Sequence, residues 1–383
     1  MASLCKKYGQ SGWELSNQTV SLMVTQMGGY MFPVEFALNE KQKVSPYYIA
    51  PWWNEECRSP HQVFQFLRGD FFCFPFGGNL HPYQGRQFPL HGDSPSQEWT
   101  LKTLSPGRKI TLEQHQTHIP GTLQKTIEIQ ETQKAIYIEH QFSGISGIFP
   151  YGHHALIHLN DRACHVYHSP IQKGFTNPKA QPHSPFDGVR YSFLEGGAEF
   201  DTLGKVPSLW KHQPFVNCQK FPQSEGFGDL LLMVKEPHSQ TPSFIVCLFP
   251  EQGYLWYSLA SPQIFPSFQL WMENKNRAEA PWNNRNCCLG VEETCSYFGF
   301  GAAESAQKNF LNAQGIPTSY AFHAHEKYHT WNIQGVASLP QGAKELKELR
   351  FEENKRLQFI FSNGRTQVEE IQYNYVFSGD RSS

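Results

Sequence analysis

No stretch of this 383-residue chain approaches the roughly 18 consecutive apolar residues that a membrane-spanning helix needs. Helical membrane spans are therefore not expected. An excess of charge of one sign is missing too: 32 Lys and Arg stand against 34 Asp and Glu, a formal charge of −2, which argues against a broad basic surface for nucleic acid. There is no CxxC pair of the zinc-ribbon type. The nine cysteines are odd in number and irregular in spacing, with Cys287 and Cys288 adjacent, a usage that fits reduced thiols better than a disulfide framework. The opening MASLCKKYGQSGWELSNQ has no apolar core of the secretory kind, so a cytoplasmic protein is expected. A phosphate loop G-x-x-x-x-G-K, a G-x-S-x-G elbow and a dinucleotide fingerprint are absent, which ranks nucleotide and serine-hydrolase chemistry low. No repeat of 20 to 50 residues occurs.

Helical periodicity is equally scarce. What is present instead is a low charged share of 17% and a high aromatic share of 14%, a balance that favours strands. Short alternating, β-branched or aromatic runs recur at 19–25, 30–37, 109–116, 122–130, 135–142, 155–159, 244–249, 254–259, 265–272, 357–361 and 366–377. Gly, Pro, Asn and Ser separate them, the pattern of a large antiparallel all-β protein with long loops and few short helices. Residues 122–142 read as a hairpin with a polar turn around 131–134. Only two stretches look helical: 302–313, ending at Gly315, and the charged stretch 341–350, which reads as a short surface helix or simply a loop. The chain is expected to form one domain over 1–383, with long excursions at about 168–240 that build or cover a binding site. A boundary near residue 300 is the alternative.

The densest run of aromatic, glycine and polar residues lies between Arg68 and Trp99 and centres on His91 and Gly92. A glycine lets backbone approach a small polar ligand, and a nearby ring can stack on it. Arg68 and Asp70 lead into this segment, and Trp99 closes it. Two later points add titratable groups. In YGHHALIHL (151–159), His153 and His154 precede a strand and point to opposite faces if they lie on it. In CCLGVEETCSYF (287–298), Glu292 sits in an apolar strand, where a carboxylate is costly unless paired or used. Two imidazoles and a carboxylate around one cleft suffice for proton shuffling on a sugar without metal or nucleotide. The plain structural alternatives are satisfied core histidines, an Arg68–Asp70 ion pair, and Glu292 paired with Arg277 or Arg285.

The ordered set RGDFFCFPFGG (68–78), PLHG followed by Glu98-Trp99 (89–99), HALIHL (154–159), LWMENKN (270–276) and LGVEET (289–294) resembles the galactose mutarotase-like superfamily, closest to aldose 1-epimerases and glucose-6-phosphate 1-epimerases. The resemblance implies a β-supersandwich of two large antiparallel sheets with a sugar on one face. It implies Glu292 as the base that takes the anomeric hydroxyl proton, His154 as the acid that protonates the ring oxygen, and His91 as a hydrogen-bond partner near the ring oxygen and C1. Arg68, Asp70, His153, Trp99 and Trp271 are expected to bind substrate. The sequence departs from the family where phosphohexose-specific members hold phosphate: no arginine lies between Gly92 and Trp99. His-x-Tyr-Phe is replaced by His154-Ala155-Leu156-Ile157, the proline after the tryptophan segment is absent, and so is the Gly-Arg-x-x-Asn-Arg motif.

The leading expectation is a mutarotase-type carbohydrate epimerase acting on an unphosphorylated aldose, with no cofactor and no metal. The first alternative is a non-catalytic sugar-binding protein on the same scaffold. The second is a metal-dependent β-barrel enzyme that uses histidines such as His323, His325 and His329. A small-molecule sugar is the expected partner, with neither nucleic acid nor membrane.

Overall fold

The computed structural model describes residues 4–159, 163–179, 192–353 and 355–378. Two large antiparallel sheets stack face to face. The first has twelve strands, and its centre runs Asp70–Cys73, Tyr151–Ile157, Cys287–Cys295, Ser267–Asn274, Phe227–Lys235. On one side it continues through Met31–Ala37 and Val20–Thr25 towards the N-terminus, and on the other through Ile171–Thr176. The second sheet has nine strands, with Tyr328–Ser338 at its centre between Tyr254–Ala260 and Ala135–Ser143. The 122–142 hairpin forms as expected, Thr122–Ile129 pairing with Ala135–Ser143.

Apolar side chains between the sheets fuse them. Val24, Phe72, Met233 and Leu270 from the first sheet meet Ile127, Ile138, Cys247, Trp256 and Val336 from the second in one buried cluster. Each such side chain contributes roughly 2 kcal/mol by leaving water. Several polar groups in the layer are paired with one another: Lys235 bonds Glu293, Ser258 donates to Glu293 at 3.2 Å, and Asn332 donates to Ser258 at 2.9 Å. A three-stranded sheet, Leu346–Glu352, Arg356–Phe361 and Thr366–Glu370, covers the far face of the second sheet. There Leu349, Leu357 and Phe359 pack on Tyr137, Val246 and Tyr257.

Alternation along the central strands of the first sheet decides which residues can reach its outer face. Phe72 and His153 point inward, while Phe71, Cys73 and His154 point outward. These strands have both faces covered, so Tyr151–Ile157 and Cys287–Cys295 are buried almost throughout, including His153, His154, Glu292 and Glu293.

Four expectations are corrected. The helix at 302–313 shrinks to Ala302–Ala306 and a 3-10 turn Asn312–Gln314. The Asn309 side chain takes over the local backbone, donating to Glu304 O and accepting from the amides of Leu311 and Asn312, which ends the helix. The stretch 341–350 is no helix: a register shift between Leu346 and Glu348 lets Leu346 and Leu349, three apart, both face the sheet beneath. The strand proposed for 366–377 ends at Glu370, and Tyr375–Ser378 is helical. Finally, 168–240 is only partly loop, because Ile171–Thr176 and Phe227–Lys235 extend the first sheet. Residues 180–191 of that stretch lie outside the described residues.

The nine cysteines are thiols outside any disulfide. No described helix is long and apolar enough to cross a membrane.

Candidate active site

A cavity of about 790 Å³ opens on the outer face of the first sheet, and His91, His154, Glu292 and Trp271 all line it. Each arrives by a different local device. Glu292 and His154 stand on the adjacent central strands. The Nε2 of His154 lies 3.2 Å from the Oε1 of Glu292. Phe71, on the strand across from His154, stacks under that imidazole at 4.7 Å between ring centres.

His91 comes from the turn after Asp70–Cys73. Its amide donates to Gly77 O at 2.7 Å, and its carbonyl accepts from the Phe74 amide at 3.1 Å. That clamp holds His91 at φ +60 and Gly92 at φ +81. A Cβ on Gly92 would fall 1.8 Å from the Phe74 carbonyl oxygen, so only glycine fits there. The His91 ring packs edge-on to His154 with centres 5.2 Å apart. The Gly77 amide donates to its Nδ1 at 3.4 Å, which leaves the proton of the neutral ring on Nε2.

A second glycine opens the floor. Gly290 lies opposite Trp271 in the sheet, and a Cβ there would meet Trp271 at 3.0 Å and both Glu292 Oε1 and His154 Cε1 at 3.2 Å. The absent side chain leaves room for a ligand beside the carboxyl and the imidazole.

Burial sets the charge state of the trio. With its charged form stripped of water, Glu292 is pushed up to about 8. Desolvation holds His154 well below the ordinary imidazole range, helped by the neighbouring His91. Desolvation, with Arg277 and His61 adding to it, lowers His91 to about 3. At neutral pH the Glu292–His154 pair therefore carries one transferable proton beyond the neutral imidazole, held on Glu292 with its Oε1 3.2 Å from His154 Nε2.

The remaining expected site residues lie elsewhere. Arg68 is buried and donates to the backbone oxygens of Phe66 (3.1 Å) and Tyr8 (2.9 Å), so it forms no pair with Asp70. Asp70 and His153 bond each other at 3.1 Å in the layer between the sheets. Trp99 is buried, its indole donating to Ser94 O at 2.9 Å and its ring under Lys125. None of these four lines the cavity. Glu292 does not pair with an arginine: Arg277 meets Glu273 at 3.3 Å and Arg285 meets Glu55 at 2.6 Å.

Sequence reasoning missed what surrounds Trp271. Arg277 lies over the rings of Trp271 (5.4 Å) and Trp282 (4.4 Å), and His61 and Phe64 enter the cavity from a short helical segment, Gln62–Phe66, and the residue before it. The i, i+4 spacing of Glu273 and Arg277 beside a tryptophan was the available signal. Nothing in the local sequence marks His61. Among the described residues no group of three or more His, Cys, Asp or Glu could hold a metal ion. His323 and His325 stand 6.0 Å apart by ring centres, with His325 exposed.

The two stacked antiparallel sheets and the cavity on the outer face of the larger one define the galactose mutarotase-like fold. Among solved structures that share it are a candidate aldose 1-epimerase from Escherichia coli K12, at TM-score 0.56 and 13% identity over 86% of this chain and 100% of that one. A galactose mutarotase related enzyme from Lactobacillus acidophilus aligns at TM-score 0.55 and 10% identity, over 87% and 99%. A galactose mutarotase-like protein from Clostridium acetobutylicum aligns at 0.54 and 10%, over 88% and 98%. No family model and no curated protein sequence matches the chain.

Proposed function

We propose that the protein is a mutarotase-type carbohydrate epimerase that interconverts the anomers of an unphosphorylated aldose. The observation that carries this reading is the contact between His154 Nε2 and Glu292 Oε1, with His91 against it, on the floor of a cavity of about 790 Å³. In the reactive form the transferable proton sits on His154. The Glu292 carboxylate takes the proton of the anomeric hydroxyl while His154 gives its own to the ring oxygen. The C1–O5 bond breaks, the C1–O1 bond becomes a carbonyl, and the pair ends as a protonated Glu292 and a neutral His154. Rotation about C1–C2 and the reverse transfers close the ring on the other face. The Nε2–H of His91 is a donor to a sugar oxygen, and Phe71 holds the His154 ring in place. Positioned acid–base pairs of this kind contribute about 10²–10⁴ in rate.

The charge around the cavity favours a neutral sugar. Arg277 and Lys179 are offset by Glu273 and Glu279, and Arg277 is committed to Glu273. The two arginines that could have replaced the missing phosphate ligand face elsewhere: Arg68 binds backbone, and Arg86 donates to His118 O at 3.0 Å.

One observation favours the binding-only reading: a carboxyl raised to about 8 is mostly protonated at pH 7 and serves as a donor as well as a base. Polarimetry separates the two. Freshly dissolved α-glucose and α-galactose should reach equilibrium rotation faster with the protein and at the buffer rate with Glu292→Gln. Sugar binding without any acceleration would leave recognition alone.

A further inference from the structure

We propose that the cavity holds a second sugar subsite beside the reaction centre, and that the preferred substrate is a reducing disaccharide or longer oligosaccharide. This rests on the epimerase reading for what happens at the first subsite, but not for the binding. A hexose has twelve heavy atoms and at interior packing density fills roughly 200 Å³, whereas the cavity measures about 790 Å³. One ring beside His91, His154 and Glu292 leaves most of it over.

The remaining space is built for another ring. Trp271 and Phe64 are only half-buried there, and His61 stands beside Phe64 with ring centres 5.3 Å apart. Trp271 is continuous with the reaction centre, its indole 5.8 Å from the His154 ring, and Arg277 braces its other neighbour, Trp282, at 4.4 Å. Half-exposed aromatic surfaces next to a guanidinium and an imidazole suit the apolar C–H face and the rim hydroxyls of a pyranose. Leu80, which also lines the cavity, is 75% exposed, an apolar surface open to a bound sugar.

The chemistry fixes the direction. Ring opening needs a free anomeric hydroxyl, so the reducing ring must sit at Glu292, and the extension into the Trp271–Phe64–His61 region must leave from another carbon of that ring. A glycoside blocked at C1 can fill both subsites but cannot react.

Titrating intrinsic tryptophan fluorescence with glucose, galactose, maltose, cellobiose and lactose tests this. At least one disaccharide should bind about tenfold tighter than its reducing monosaccharide, and the advantage should shrink towards one in Phe64→Ala and in His61→Ala. The histidine change is the safer of the two for folding, since its side chain makes no capping bond to the segment it precedes. Equal affinity for each disaccharide and its monosaccharide would overturn the proposal, as would an advantage that both substitutions leave intact. A disaccharide preference without faster anomerisation supports the second subsite and removes the epimerase. Faster anomerisation with equal affinities and equal kcat/KM does the reverse.

Discussion

Replacing Glu292 by glutamine should stabilise the fold, and by an amount that depends on pH in one direction only. The carboxyl ionises near 4.5 when exposed and near 8 in the fold, because burial penalises its charged form. Between these values the folded state keeps a proton that the unfolded state has lost. Stability therefore falls as pH rises through this window, at about 1.4 kcal/mol per pH unit, and levels off above pH 8 at a total of roughly 5 kcal/mol. Glutamine has no such proton and keeps an amide that can bond His154. The variant should match the parent near pH 4.5 and exceed it by a few kcal/mol at pH 8.5. Asp229, also raised to about 8 by burial, and the depressed His91 titrate in both proteins and drop out of the difference. Urea denaturation followed by tryptophan fluorescence at intervals from pH 5 to pH 9 measures it, with unchanged slopes showing that the same transition is compared. A stability difference constant across that range would refute the claim that Glu292 is held protonated by burial.

Other expectations follow from the same geometry. With the spontaneous rate subtracted, catalysed anomerisation should fall about tenfold per pH unit above pH 8, where the Glu292–His154 pair loses its transferable proton; a rate that keeps rising there contradicts the assignment. His154→Gln should lower kcat by about 10²–10⁴ with little change in the urea midpoint. Gly290→Ala places a methyl 3.2 Å from both Glu292 Oε1 and His154 Cε1, so sugar binding should weaken at least about tenfold while circular dichroism is unchanged. Glu293→Gln leaves the buried Lys235 without its counter-ion and should destabilise by about 3–5 kcal/mol, seen as a large drop in Tm.

The sheets were legible where one face is covered and the other partly open, as in Met31–Ala37 and Arg356–Phe361. Strands covered on both faces gave no alternation, and Phe227–Lys235, with its run of three leucines, Met and Val, was read as part of a loop excursion. For the site, motif order picked out His91, His154 and Glu292, and the cavity brings these three together with Trp271. Arg68, Asp70, His153 and Trp99 belong to the same motif segments but serve the scaffold. A strand's alternation sends half of any motif to the wrong face: His153 goes inward because His154 goes outward. His61 reaches the cavity through long-range packing that no local spacing encodes, whereas Arg277 had a local mark in its i, i+4 spacing from Glu273.

The central claim is that Glu292 and His154 pass a proton through a sugar ring. Exchange spectroscopy on the α and β H1 signals of glucose and maltose at equilibrium, near pH 7, reads that event directly. Cross-peaks that grow with protein concentration, and that vanish for Glu292→Gln while the variant still binds sugar, are the result expected. Anomeric exchange that persists at the parent rate in the variant, or that never exceeds the buffer rate for any reducing sugar that binds, would contradict it.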